Sequence, residues 1–254
     1  MKSALVSGAA GFVGSHLVDR LLEEGFAVVG VDNFITGKEE NLNSAKSNSK
    51  FSFLDLDVVS EIPELGMKFD YIFHAASPAS PPRYFEYPIE TMMVNSIGTK
   101  NLLDLAIRNK ARVIFFSTSE VYGDPLEHPQ RESYWGNVNP IGPRSIYDEA
   151  KRFGEALVAQ YVREKKVDAG IIRIFNTYGP RLDPHDGRVV STFIRQAING
   201  EALTINGDGN QTRSFCYISD LIDGILKMAE SNEFGPINLG NPNEMTLNQL
   251  IKKL

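Results

Sequence analysis

Tyr147 and Lys151 stand four residues apart, and upstream of them Ser117-Thr118-Ser119-Glu120 supplies hydroxyls and a carboxylate. A hydroxyl, a carboxylate, a phenol and an ammonium are the groups needed to oxidise a sugar alcohol. Residues four apart share a helix face, so the Lys151 ammonium is expected to lower the pKa of the Tyr147 phenol and favour a phenolate base. Such a base takes the proton of an alcohol while hydride leaves carbon. A tyrosine and a lysine at this spacing also occur by chance in almost any chain of this length, so the pair needs support from elsewhere.

That support lies near the N-terminus. Ala4-Leu5-Val6 reads as a buried strand running into Gly8-Ala9-Ala10-Gly11-Phe12-Val13-Gly14, and Val13, Leu17 and Leu21 then form one apolar helix face. Strand, glycine loop and helix in this order make a dinucleotide site. Gly8 permits the tight turn, Gly11 lets the backbone approach a pyrophosphate, and Gly14 lets helix and strand pack closely, while the helix N-terminus offers free N–H donors. A second apolar strand, Ala27-Val28-Val29-Gly30-Val31, ends at Asp32. An acid there accepts hydrogen bonds from the adenine ribose and repels a 2′-phosphate, so the expected cofactor is NAD rather than NADP. A plain glycine-rich turn is the competing reading, and the flanking strand and helix weigh against it.

Strands near 3–7, 26–32, 51–55, 70–74, 112–117 and 168–174 alternate with helical patterns near 12–24, 88–109 and 145–165. Such alternation predicts an α/β fold of Rossmann type, a doubly wound parallel sheet covered by helices. Functional residues in such sheets gather just beyond the strand C-termini. The glycine loop with Phe12 and Val13, Asp32 with Asn33, Asp57 with Val58, Ala75 to Ser77, and Thr118 to Glu120 all follow apolar runs and are expected around the cofactor. After Arg173 the elements shorten and Gly/Pro/Asn turns multiply. Residues 1–174 are therefore expected to form the NAD-binding domain and 175–254 a smaller substrate lobe, interleaved with the first and incomplete. Asn41 to Ser52 reads as a surface loop.

Composition narrows the function. The 254 residues, 42% hydrophobic and 23% charged, suffice for a full core without a disulfide or metal staple. A net charge of −6 and a pI near 5.3 argue against general binding to nucleic acid or an anionic membrane. Cys216, the only cysteine, excludes an intramolecular disulfide and reads as a small buried hydrophobe. Met1-Lys2-Ser3 leads straight into the first strand, leaving no room for a signal peptide, and no apolar run is long enough to cross a bilayer, so a cytoplasmic location is expected. His16, His74, His128 and His185 are scattered without ligand spacing, and no metal site is expected. His74 ends an apolar run and is expected at a strand end beside the cofactor or as a satisfied, partly buried histidine; no chemistry is assigned to it.

From the first strand to Leu254 the chain resembles the extended short-chain dehydrogenase/reductase family of nucleotide-sugar-modifying enzymes. General family features are the glycines from Gly8 to Gly14, Asp32, Asn95, Thr118 and the Tyr147/Lys151 pair. The stretches His74 to Pro82, Ser117 to Gly123, Tyr134 to Gly136, Asn139 to Arg144, Arg173 to Arg181 and Asp186 to Ser191 are most similar to the branch that decarboxylates UDP-glucuronate. The resemblance implies that Tyr147 removes the proton of the C4 hydroxyl while Thr118 binds its oxygen. The C4 ketone makes the C5 carboxylate a β-keto acid, carbon dioxide leaves, and returned hydride gives UDP-xylose. Lys151 would hold the nicotinamide ribose, Glu120 would place the ring or a water near C5 or act in general acid-base work, and Ser119 is expected to bind substrate. Asn176, Arg181, Arg188 and Arg213 are expected to bind the nucleotide diphosphate, since the planar guanidinium fork suits phosphate oxygens. Tyr217 stacks on the nucleotide or belongs to a strand core. A homodimer through the helices near 88–109 and 145–165 is implied.

The chain departs from the family in two places. Met93-Val94-Asn95 stands where the decarboxylases carry Lys-Thr-Asn, losing an ammonium that could meet the substrate carboxylate. Family members also continue for several tens of residues, in a tail bearing an arginine that closes the sugar pocket, so Glu120 is expected to lack its partner. Leu247 to Leu254 reads as an amphipathic helix, and the chain is expected to be a truncated form. A 4-epimerase or 4,6-dehydratase on the same scaffold, and a catalytically impaired NAD-binding homologue, remain alternatives.

Overall fold

The structure, a computed structural model, describes residues 1–165 and 167–253. The six apolar runs form parallel strands: β1 (Ser3–Ser7), β2 (Ala27–Asp32), β3 (Phe51–Asp55), β4 (Tyr71–His74), β5 (Arg112–Thr118) and β6 (Ala169–Ile174). Ile237–Leu239 adds a seventh, and the order across the sheet is Ile237–Leu239, β6, β5, β4, β1, β2, β3. Every residue of β1 and of β5 is buried, as a sheet covered on both faces requires. On one face, Leu17 and Leu21 of the helix Phe12–Glu23 pack with Ile222 and Ile225 over Val6, Phe73 and Ile114. On the other, Leu102, Leu103 and Val158 cover Leu5, Ile72 and Phe115. β1 pairs with β2 on one side and β4 on the other, so the chain reverses its winding direction there and opens a crevice above the strand ends.

The predicted helix over 88–109 is two helices, Pro88–Met93 and Thr99–Asn109, joined by a π-turn at Val94–Gly98. Hydroxyls of Thr91, Ser96 and Thr99 each bond the carbonyl four residues back, which loosens the intervening turns. Asn41 to Ser52 is not the surface loop its composition suggested. Leu42 is fully buried, the Asn41 amide donates to the Ala10 carbonyl at 2.8 Å, and Phe51 opens β3. The buried Asn41 amide is satisfied by backbone, whereas Asn43, Ser44, Lys46 and Ser47 face outward.

Beyond β6 the chain leaves the sheet and returns. Thr177–Tyr178 pairs with Cys216–Tyr217, and Thr212–Ser214 pairs with Glu244–Thr246, on either side of the helix Val189–Ile198. The helix Ile218–Glu230 lies back on the sheet, and Ile237–Leu239 pairs parallel with β6, Ile237 opposite Ile172. The terminal helix runs Leu247–Ile251, closed at its start by a capping box between Thr246 and Gln249. Leu254 lies outside the described residues. Cys216 is buried and free, and no helix among the described residues is long and apolar enough to cross a membrane.

Candidate active site

The crevice at the strand ends is one continuous cleft. Gly8, Gly11, Asp32, Asn33, Asp57, Val58, Ala75 and Ser77 line one end. Gly14, Phe12, Val13, Thr118, Ser119, Glu120, Tyr147, Lys151, Asn176, Arg181 and Arg188 line the other. The glycines are required by contact. Gly8 has φ +73°, and a Cβ on it would lie 2.7 Å from the Ala76 nitrogen; a Cβ on Gly14 would strike the Gly8 carbonyl. Asp32 is pinned by the amides of Ala10 at 2.9 Å and Phe34 at 2.8 Å. Burial raises its pKa, and those two N–H donors pull it down. Asn33 donates to Asp57 at 3.1 Å, which in turn accepts from the Val59 amide. A loop with no room for side chains and a fixed acid beyond the second strand together fit a dinucleotide with free ribose hydroxyls.

Tyr147, Lys151 and Glu155 occupy successive turns of the helix Ser145–Lys165 and face the end of β5. Tyr147 is 5% exposed and its ring stacks on Tyr84, centroids 5.3 Å apart. Burial pushes its phenol up to about 12, while a hydrogen bond with Thr118 and the charge of Arg188 pull it down. The Lys151 amine donates to the Phe116 carbonyl at 2.8 Å, and burial lowers it to about 7 against the opposing effect of Glu155. In the chain itself burial raises the phenol rather than lowering it: desolvation disfavours both charged forms, and the amine, 5.8 Å from the Tyr147 ring centre, donates towards the strand. Glu155 accepts from Ser117 at 2.5 Å and from the Arg173 fork at 2.9 and 2.7 Å. Arg173 reaches on to Tyr122, whose hydroxyl donates to Asn238. His74 sits between Ser7 and Thr99 at 2.9 and 3.1 Å, held neutral because burial lowers it to about 3. It is a satisfied core histidine.

Beyond Thr118 the cleft broadens into a groove shared by Ser119, Glu120, Arg144, Asp148, Asn176 and Arg213. Glu120 has a partner after all: Arg144 forms an ion pair with it and approaches Asp148 at 3.7 Å. Burial raises Asp148 to about 6, with Arg144 opposing. Arg188 is held by both oxygens of Asp186, Arg181 by Asp19 at 2.6 Å, and Arg83 by Glu86 and Asp183. Arg213 has no carboxylate partner among the described residues and donates only to the Thr212 carbonyl at 2.7 Å. Tyr217 is not brought to the cleft; it packs edge-on against Tyr178 in a separate apolar groove with Ile194 and Ile198. Sequence reasoning missed Arg144, Asp148, Glu155 and Tyr84. The spacing of Tyr147, Lys151 and Glu155 carried a signal for one of them, whereas Tyr84 lies on a short helix, Pro81–Glu86, that no periodicity announced.

The sheet order, the glycine crevice and the Tyr147/Lys151 pair define a nucleotide-binding α/β protein with a dehydrogenase type of site. The chain belongs to the NAD dependent epimerase/dehydratase family, which it matches over residues 4–240. It is 54% identical over 247 residues to UDP-glucuronic acid decarboxylase 3 of Arabidopsis thaliana, covering 97% of this chain and 71% of that one. It is 51% identical over 256 residues to UDP-glucuronic acid decarboxylase 1 of Danio rerio, covering 100% of this chain and 60% of that one. Among solved structures it is similar to UDP-glucuronic acid 4-epimerase from Bacillus cereus in complex with UDP-glucuronic acid and NAD. That likeness has a TM-score of 0.84 and 32% identity over 98% of this chain and 81% of the other.

Proposed function

We propose that this chain carries the catalytic centre of an NAD-dependent decarboxylase converting UDP-glucuronate to UDP-xylose. The observation that carries the proposal is the convergence of Tyr147, Thr118, Lys151 and Glu120 at the point where the dinucleotide crevice meets the groove holding Asn176 and Arg213. Identity of more than half to proteins named UDP-glucuronic acid decarboxylases supports the choice of reaction. NAD, held by the loop from Gly8 to Gly14, Asp32 and Lys151, would supply the acceptor and donor of the C4 hydride, and its positive charge would favour a phenolate nearby. Tyr147 removes the C4 hydroxyl proton, with Thr118 bonding the same oxygen. Once C4 is a ketone, the C5–C6 bond breaks, carbon dioxide departs, and the electron pair rests on the C4 oxygen, where the two hydroxyl donors stabilise it. Glu120 positions the ring or a water for reprotonation at C5. Lys151 holds the nicotinamide ribose, and Arg213, with Asn176, receives the diphosphate.

The smaller lobe is assigned to the segment around 177–217, which lies between β6 and the last strand of the sheet, together with 244–251, which follows that strand. A homodimer is supported by Phe85, Ile89, Met92, Ile97 and Phe153, exposed on the helices near 81–109 and on the helix Ser145–Lys165. A cytoplasmic setting is supported by the single free cysteine.

The test is incubation with UDP-glucuronate and NAD in deuterated water, followed by NMR. UDP-xylose deuterated at C5 is the expected product, and Tyr147→Phe should lower the rate about 10²- to 10⁴-fold while NAD still binds. Likeness to a UDP-glucuronic acid 4-epimerase favours a second reading, in which C4 is inverted and the carboxylate kept; a C4 epimer without loss of carbon dioxide would establish that reading instead.

A further inference from the structure

We propose that Arg144 reads the carboxylate of the sugar, exchanging its ion pair with Glu120 for one with the incoming anion. The inference rests on the decarboxylase reading above. A uronate differs from a neutral sugar by one negative charge, so a site that selects it must present a cation beside the reacting ring.

Most cations along the cleft are committed. Arg188 is locked to buried Asp186, Arg181 to Asp19, Arg83 lies between Glu86 and Asp183, and the Lys151 amine is turned into β5. Arg213 is available but belongs to the far strand Thr212–Ser214 of the groove. Arg144 is different because its side chain is the most exposed of these paired arginines, and its partner Glu120 lines the cleft next to Thr118. The two side chains are 54% and 38% exposed, and a pair so exposed contributes little net stability, so an anion of equal charge can replace Glu120 at small cost.

The placement is also right. The Arg144 carbonyl accepts from the amides of both Tyr147 and Asp148 at 3.0 Å, which ties the arginine to the first turn of the helix bearing the phenol. Asp148, 3.7 Å from the Arg144 Nε, flanks the guanidinium alongside Glu120, and the other Asp148 oxygen is buried without a hydrogen-bond partner. A planar fork accepts a carboxylate through two parallel bonds. A neutral sugar has nothing to displace Glu120, so the pair stays closed against it.

The experiment compares UDP-glucuronate with UDP-glucose by calorimetry on the NAD-loaded protein, for the natural chain, Arg144→Gln and Arg144→Lys. Arg144→Gln should weaken UDP-glucuronate roughly tenfold to a hundredfold and leave UDP-glucose unchanged, with Arg144→Lys between the two. NAD affinity serves as the check on folding, and Arg144→Lys carries the test if the glutamine variant does not fold. Equal weakening of both sugars, or an unchanged preference in both variants, overturns the assignment while leaving the decarboxylase reading intact. A natural chain that shows no preference for UDP-glucuronate and yields no UDP-xylose overturns both.

Discussion

The two sides of the cleft are built from different materials. On the cofactor side, shape comes from backbone against backbone and from side chains pinned by backbone: Gly14 on the Gly8 carbonyl, Asp32 between two amides, Asn41 on Ala10. On the substrate side, it comes from pairs of long side chains: Arg144 with Glu120, Arg188 with Asp186, Arg83 with Glu86 and Asp183. The first arrangement costs no reorganisation when a dinucleotide is present and suits a cofactor that stays through a redox-neutral cycle. The second can change partners, which suits a ligand that arrives charged and leaves as something else. Between them lies the largely buried chain Ser117, Glu155, Arg173, Tyr122 and Asn238, which touches the crevice at Ser117 and the groove at Tyr122 and ties β5 and β6 to the last strand.

That intermediate network is where the contrast breaks most sharply. Glu155→Ala leaves the Arg173 guanidinium buried without its carboxylate and should cost about 3–5 kcal/mol in urea unfolding. A loss too small to measure would mean that the network is solvated and that both sides stand independently. Next in size, Arg213→Ala should weaken UDP roughly tenfold to a hundredfold, read by calorimetry, with NAD affinity unchanged. Parallel loss of NAD would show that the two sides are mechanically coupled.

The smallest effect concerns pH. Burial raises Asp148 from an ordinary value of 3.8 to about 6, so the folded chain binds its proton more tightly than the unfolded one does. That contribution is complete below pH 3.8 and is lost as pH rises through about 6. Asp148→Asn removes it, and the stability of the variant relative to the natural chain should climb across that window in unfolding curves taken at each pH. A flat difference would place Asp148 among the ordinary solvated acids of the groove.

The same contrast explains what could be read from the sequence. Strands such as Arg112 to Thr118 are buried on both faces and carry an unbroken apolar stretch, here Val113 to Phe116, so their positions, and the glycine loop after β1, were legible. Helix periodicity likewise placed Tyr147 and Lys151 on one face. What periodicity cannot convey is the environment: the phenol and the amine are neighbours in a dry wall, where burial is the largest influence on each. Nor could it pair Arg144 with Glu120 or draw Tyr217 away from the cleft, because those outcomes depend on loops whose paths are set by tertiary contacts. The π-turn at Val94–Gly98 escaped for a related reason, since an extra residue in a helical turn leaves the apolar pattern on either side nearly intact.

The position of Ile237–Leu239 in the sheet also governs the order in which the molecule can be assembled. β6 lies inside the finished sheet, yet on a growing chain it is an open edge until residues 237–239 have emerged. During that interval the five strands before it can already pair with one another, while β6 presents unpaired amides and carbonyls along the side that Ile237–Leu239 later covers. Closing that edge requires the whole intervening lobe to fold back, a long-range step that is slow compared with the local pairing before it. Aggregation during synthesis should therefore be sensitive to substitutions in Ile237, Asn238 and Leu239 that leave the finished site untouched.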